Sequence, residues 1–234
     1  MGITITTLDE AISESYPKVI LYADAGVGKT TLVGTFPGKI LILSAEGGLR
    51  SLKLFPASTR KRISVAEVST TDDLRDAYEK IQSGAVSVDW LVLDSISEIA
   101  EMALREYKSK DKDPRQSYGK TDDDVTDMLR RFRDLPCGVI FIAKEHVIKR
   151  EVGDMEIDYY GLLLPGQRLT TNVPHLVDEV WRMVAKGDKR MIITRNDGRS
   201  RAKSRTDLPP VVDVTDGIGE DVLAALARVP TDEE

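Results

Sequence analysis

One cysteine, Cys137, stands among 234 residues. Intramolecular disulfides are thereby excluded, and a reducing cytoplasm is the setting that fits. Histidine is almost as scarce, and the two present lie too far from each other and from Cys137 to make a zinc site. No apolar run approaches the roughly 20 residues of a membrane helix. The opening MGITITTLDEAISES has neither the basic start nor the apolar block of a signal peptide. Internal repeats, low-complexity tracts and long Pro/Gly/Ser linkers are missing, so a single domain is expected: an extension over 1–16, a core over 17–205 and a tail over 206–234. A net charge of −6 argues against a generic polyanion binder, and any nucleic-acid contact has to come from a local patch. There is no N-K-x-D for guanine, and no arginine-rich lid of the kind small-molecule kinases carry.

What is present is an alternation of strand-length apolar runs with helical stripes. The runs are Lys18–Tyr22, Ile40–Ser44, Arg62–Ala66, Trp90–Asp94 and Gly138–Ala143. Leu74, Ala77, Tyr78 and Ile81 recur at helical spacing, as do Ile96, Ile99, Ala100, Ala103 and Leu104, and Val125, Met128, Leu129 and Phe132. Thr71 before Asp72-Asp73 and Thr121 before Asp122–Asp124 read as helix N-caps with acidic first turns. Runs that are apolar throughout imply a mostly parallel α/β sheet covered on both faces. Beyond about residue 145 the pattern changes to antiparallel additions, with turns expected at Gly153-Asp154 and at 186–188, then a polar loop over 196–210 and a short helix near 222–228. Trp90, Trp181 and Cys137 read as core.

The stretch ADAGVGKTT (23–31) follows the first apolar run and precedes a helical segment, as a phosphate-binding loop must. Its backbone N–H groups would cradle phosphates at the helix start, where the macrodipole favours negative charge. The expected nucleotide contacts are Asp24, Ala25, Gly26, Val27, Gly28, Lys29, Thr30 and Thr31. Lys29 would reach the β- and γ-phosphates, and Thr30 would ligate Mg²⁺. Ala23 replaces the first glycine of the usual pattern, but at the loop's mouth rather than its phosphate-facing end. Asp94, closing the run WLVLD, supplies the second group expected at Mg²⁺. Many AAA-type ATPases place their catalytic glutamate directly after that aspartate; here Ser95 holds the position, and Glu98, one turn on, is expected to point away. Glu46 in LILSAEGG is the better base, because ligands of open α/β sheets sit beyond the carboxyl ends of strands. A carboxylate there could orient and deprotonate the attacking water.

Together AGVGKTT, LILSAEGG and LVLDS resemble the RecA-like recombinase superfamily. The small size, QSYGK (116–120) before an amphipathic helix and PGQRLTTNVPHLVDEVWRM resemble more specifically the phage-encoded, core-only RecA-like proteins described as single-strand annealing or phage nucleotide-binding proteins. The resemblance covers roughly residues 18–205. It implies a RecA-like P-loop NTPase core, ATP with Mg²⁺, a homo-oligomeric ring or filament, single-stranded DNA as partner, and a single-stranded-DNA-binding or replication protein as a further one. It also implies a polar γ-phosphate sensor after the run GVIFIA, a position held here by Lys144. From Lys186 to Arg205 eight basic residues stand against two acids. Of these, Lys203 and Arg205 match cations that the superfamily delivers across subunits to a neighbour's γ-phosphate. Arg199 joins Lys149, Arg150 and Arg168 as expected DNA-backbone contacts, with Tyr159 and Tyr160 as candidates for base stacking. An AAA-type remodelling ATPase and a nucleotide-gated binding module with little hydrolysis are the competing readings.

Overall fold

The structure, a computed structural model, describes residues 3, 5–8, 10 and 15–227. Its elements in chain order are β1 (Lys18–Ala23), α1 (Lys29–Gly34), β2 (Ile40–Ser44), α2 (Ala57–Lys61), β3 (Ile63–Glu67), α3 (Thr71–Gln82), β4 (Trp90–Asp94), α4 (Ile96–Lys108), α5 (Pro114–Arg133), β5 (Gly138–Val152), β6 (Met155–Leu162), α6 (Gln167–Asn172), β7 (Glu179–Lys186), β8 (Lys189–Ile193), β9 (Val211–Asp213) and α7 (Glu220–Ala227). Two 3₁₀ turns, Leu49–Leu54 and Val173–Leu176, complete the set.

The strands lie in the order β3-β2-β4-β5-β1-β7-β8-β9, with β6 on the far half of β5. From β3 to β7 every pairing is parallel, and β8 and β9 add antiparallel to them. This is the mixed α/β architecture of a P-loop NTPase. The central strands are apolar on both sides because both sides are covered. Helices α3, α4 and α5 bring Leu74, Ile99, Ala103, Val125, Leu129 and Phe132 onto one face. On the other, α1, the first 3₁₀ turn and α7 bring Leu32, Val33, Leu52 and Val222. Trp90, Trp181 and Cys137 are buried as expected. Gly138 is required by that packing, since a Cβ there would enter the Trp90 ring. No helix among the described residues is long and apolar enough to cross a membrane.

Four expectations need correction. The N-cap of α3 is Thr70: its hydroxyl accepts the Asp73 N–H at 3.2 Å, while the Asp73 carboxylate accepts the Thr70 N–H at 2.8 Å. A capping box needs the acid three residues on, and that spacing selects Thr70 over Thr71. Thr71 instead binds Glu106 through its N–H and its hydroxyl (3.1 and 2.8 Å). Thr121 is no cap either. Helix α5 begins at Pro114 behind an Asp113 cap, and Thr121 sits buried inside it, donating to the Ser117 carbonyl at 2.7 Å. QSYGK therefore lies within the helix rather than before it. Finally, the supposed tail is part of the core: Leu208, Val212, Val214 and Val222 are buried, and β9 extends the sheet. The last residues, 228–234, lie outside the described set.

Strand β5 does two jobs. Residues Gly138–Lys144 run between β4 and β1 inside the sheet, and from Glu145 the strand leaves it to pair antiparallel with β6. The resulting ribbon turns at Gly153-Asp154, where the sequence predicted, with Gly153 at φ 62°. Where β7 begins, Glu179 is wholly buried yet fully engaged. One carboxylate oxygen accepts from the Trp181 indole N–H at 2.8 Å. The other accepts from Ser204 Oγ, the Arg205 and Thr206 N–H groups and Thr206 Oγ1, all at 2.9–3.1 Å. Glu179→Gln puts an amide donor against one of these donors. The expected loss is about 1–3 kcal/mol, read as a drop of roughly 2–10 °C in Tm; an unchanged Tm would contradict the role given to this acid.

Candidate active site

Strand β1 is parallel to both neighbours, so its carboxyl end opens onto the same edge as those of β2, β4 and β5. The chain turns there through Asp24–Gly28 into α1. Gly26 and Gly28 hold φ of 75° and 109°, which side chains rarely tolerate. The loop wraps its own lysine: Lys29 Nζ donates to the carbonyls of Ala23 (2.9 Å) and Asp24 (3.1 Å). Burial lowers the Lys29 pKa, while Glu46, Asp94 and Asp24 pull it back up. A second clamp comes from β8, where Arg190 Nε donates to the Val27 carbonyl at 3.0 Å. Beside the loop lies a cavity of about 440 Å³ lined by Gly28, Thr31, Thr35, Met183, Arg190 and Thr215. It is roomy enough for a nucleoside.

Thr30 Oγ1 donates to Asp94 Oδ2 at 2.8 Å. Burial raises the Asp94 carboxyl above its ordinary value, the Thr30 hydroxyl lowers it, Glu46 raises it further and Lys29 opposes. A hydroxyl and a carboxylate side by side are hard oxygen donors that suit Mg²⁺, which takes one or two protein ligands and keeps the rest as water and phosphate oxygens.

Glu46 follows β2 by two residues, and β2 pairs with β4 so that Ser44 faces Asp94. That register delivers Glu46 to the same edge as Thr30 and Asp94. The Ser95 hydroxyl donates to Glu46 Oε1, and Lys144 Nζ lies 3.5 Å from it. The Glu46 side chain keeps 30% exposure, so water reaches it. Lys144 faces Ala23 across the sheet, at the mouth of the loop. Its ammonium is held by Glu98, and that hydrogen bond raises its pKa above the ordinary lysine value. The expectation for Glu98 is thus corrected: it turns inward, because the first turn of α4 faces the lysine at the end of the β5 core. The peptide between Asp94 and Ser95 is cis.

Lys29, Thr30, Asp94, Glu46 and Lys144 therefore converge beside the loop of residues 24–31, and the cations expected as cross-subunit fingers and DNA contacts do not. Lys203 donates to the carbonyls of Pro174 (3.0 Å) and Val177, and burial lowers its pKa. Arg205 is exposed and paired with Asp178 at 3.0 Å. Lys149 is paired across the ribbon with Asp158 (2.7 Å) and Glu156 (3.5 Å), and Arg150 stacks on the Tyr159 ring at 3.2 Å. Arg168 is paired with Asp123 at 3.0 Å, and Arg199 is exposed in the 196–210 loop. Tyr159 is buried, and Tyr160 carries the Arg182 guanidinium at 3.4 Å, leaving neither ring free to stack on a base.

Sequence reasoning missed Ser95, Glu98 and Arg190 as neighbours of the site. It also missed a strong inner brace: Arg182 joins Glu145 (2.7 Å) and Ser200 (3.2 Å), and Tyr22 donates to the carbonyls of Tyr160 and Arg201. That brace ties the base of the ribbon to the strand leading into the phosphate loop. A family model described as an AAA domain matches residues 15–206. No curated protein matches the chain.

Proposed function

The chain belongs to the AAA domain family, and from that premise we propose that it is a Mg²⁺-dependent ATPase that works as a homo-oligomer on single-stranded DNA, in phage recombination or annealing. Nucleotide-binding ATPase character comes with the family. The observation that supports Mg²⁺-dependent hydrolysis is the meeting of Lys29, Thr30, Asp94 and Glu46 at one edge of the sheet. In this reading Lys29 leaves the loop carbonyls for the β- and γ-phosphates. Thr30 and Asp94 hold Mg²⁺, which when bound neutralises charge on the transferred phosphoryl group. Glu46 takes the proton of the attacking water. Ser95 and Lys144 both hold Oε1 of that carboxylate and fix its orientation, which leaves Oε2 to receive the proton. Of the two cations assigned to a neighbouring protomer's γ-phosphate, Arg205 is exposed and would leave only Asp178, whereas Lys203 would have to leave two carbonyls.

A single strand would run over the basic surface around the start of α5. Lys108, Lys110, Lys112 and Arg115 are exposed around the start of α5, with no carboxylate partner among the described residues. Lys108 lies 5.0 Å over the ring of the exposed Tyr118. Unpaired cations beside an aromatic ring suit a single strand, whose phosphates need charge and whose bases need a stacking face. Tyr118 also approaches Gly166, and the segment before it returns to the site where Leu163 N–H meets the Lys144 carbonyl at 2.8 Å.

The test is ATP turnover and oligonucleotide binding across a salt series. Single-stranded DNA should raise turnover, and affinity should fall steeply with salt. Lys110→Glu with Lys112→Glu should flatten the log–log salt slope by about 1.4, two contacts at roughly 0.7 each. DNA that changes neither turnover nor sedimentation at low salt would defeat the proposal.

A further inference from the structure

The tip of the β5–β6 ribbon is acidic and apolar, and among the described residues no ion pair is formed by Glu151 or Asp154. Glu151 and Glu156 stand directly opposite each other in the register, and Asp154 occupies the turn between them. Like charges in facing positions destabilise a ribbon. No cation lies within the stretch 151–156; of the nearest, Lys149 is held mainly by Asp158 (2.7 Å) and reaches Glu156 only at 3.5 Å, and Arg150 stacks on Tyr159. Val152 (53%) and Met155 (68%) are exposed beside these acids. Eight paired positions carry the tip about 25 Å from Glu145, at roughly 3.4 Å per residue. An extended arm whose end is both self-repelling and apolar is poorly explained by the stability of the monomer.

A surface of opposite character lies between β2 and β3. Residues 47–66 contain five cations and no acid. Arg62 is used internally, on the carbonyls of Gly34, Phe36 and Gly38. Arg50, Lys53, Arg60 and Lys61 are exposed, with no carboxylate partner among the described residues. Leu54, between Lys53 and Arg60 in the chain, is 88% exposed. Alongside runs β3, the outermost strand of the sheet, with Val65 exposed on it. An open edge of this kind is normally covered or paired.

We propose that the ribbon tip of one protomer docks on the Arg50–Lys61 surface of a second copy. Glu151, Asp154 and Glu156 meet Arg50, Lys53, Arg60 and Lys61, and Val152 and Met155 cover Leu54. The contact joins two different patches and so repeats head to tail, giving a ring or a filament. It also reports on nucleotide. The ribbon springs from Lys144 and Glu145, and the basic surface begins just after Glu46, so each contact connects two active sites. The inference rests on the reading of the chain as an oligomeric ATPase.

The experiment is sedimentation velocity at low and high salt, with a non-hydrolysable ATP analogue and Mg²⁺. It compares the wild type, Glu151→Lys/Glu156→Lys, Arg60→Glu/Lys61→Glu and an equimolar mixture of the two variants. Wild type should self-associate at low salt and weaken at high salt. Each variant alone should associate at least tenfold more weakly, and the mixture should regain assembly, because each reversed patch meets its reversed complement. All four altered side chains are exposed, and thermal melts confirm folding. Wild type that stays monomeric, variants that assemble like wild type, or a mixture that does not recover would each overturn the proposal. So would loss of oligonucleotide binding in Arg60→Glu/Lys61→Glu with assembly intact, which would make the basic strip a nucleic-acid surface. Binding of a fluorescent ATP analogue is measured in parallel. Its absence from wild type would defeat the ATPase reading, whereas normal binding with unaltered assembly of the variants defeats only this contact.

Discussion

Glu46→Gln should lower ATP turnover by about 10²–10⁴-fold, the usual worth of a positioned general base, while nucleotide affinity stays within a few-fold of wild type. The substitution keeps size and shape. The Ser95 hydroxyl can still donate to the side-chain oxygen, so the geometry around residue 46 survives. What disappears is the ability to take a proton, and with it the ion pair to Lys144, whose ammonium retains Glu98. Affinity is spared because the groups assigned to the phosphates, Lys29 and the loop N–H groups, are untouched. Steady-state phosphate release and a binding titration on the same samples separate the two effects. Unchanged turnover would remove Glu46 from the chemistry and direct attention to Glu98, the other carboxylate at Lys144.

Lys29→Ala should instead abolish binding. In the structure the ammonium donates to two loop carbonyls, and after its removal water can reach both, so the fold should lose little. In the complex the same ammonium is expected on the β- and γ-phosphates. Two charge-assisted hydrogen bonds at about 1.5–3 kcal/mol each correspond to a loss of roughly 10²–10⁴ in affinity. Titration with a fluorescent ATP analogue, alongside a melting curve, checks both halves. Near-normal affinity in a folded variant would mean that the phosphates bind elsewhere.

How legible the site was depended on the range of the interactions that build it. Strands β2 and β4 fall on the predicted residues because a strand buried on both faces is an unbroken apolar run, and such runs have sharp ends. The phosphate loop and Asp94 were readable because glycine spacing and strand ends are local properties. Placing Glu46 needed only the rule that ligands sit beyond strand carboxyl ends, and the Ser44–Asp94 register supplies the reason it works here. The early start of α5 was hidden by a polar first half containing Gly119, although Asp113-Pro114 carried the start signal. The inward turn of Glu98 and the occupation of Lys203 by two carbonyls depend on contacts across the fold, which periodicity does not encode. The same holds for the basic residues. Charge in the sequence pointed to Lys149 and Arg150, but β6 brings Asp158 and Tyr159 against them, while cations around α5 and between β2 and β3 stay exposed without a carboxylate among the described residues.

The central claim is that a triphosphate is gripped by residues 24–31 and cleaved beneath Glu46. A crystal structure with Mg²⁺, ADP and aluminium fluoride tests it most directly. The account predicts Lys29 Nζ moved from the Ala23 and Asp24 carbonyls onto the phosphates, Thr30 turned from Asp94 to the metal, and a water between Glu46 and the fluoroaluminate. Nucleotide bound away from the loop, or no water in line beneath Glu46, would contradict it.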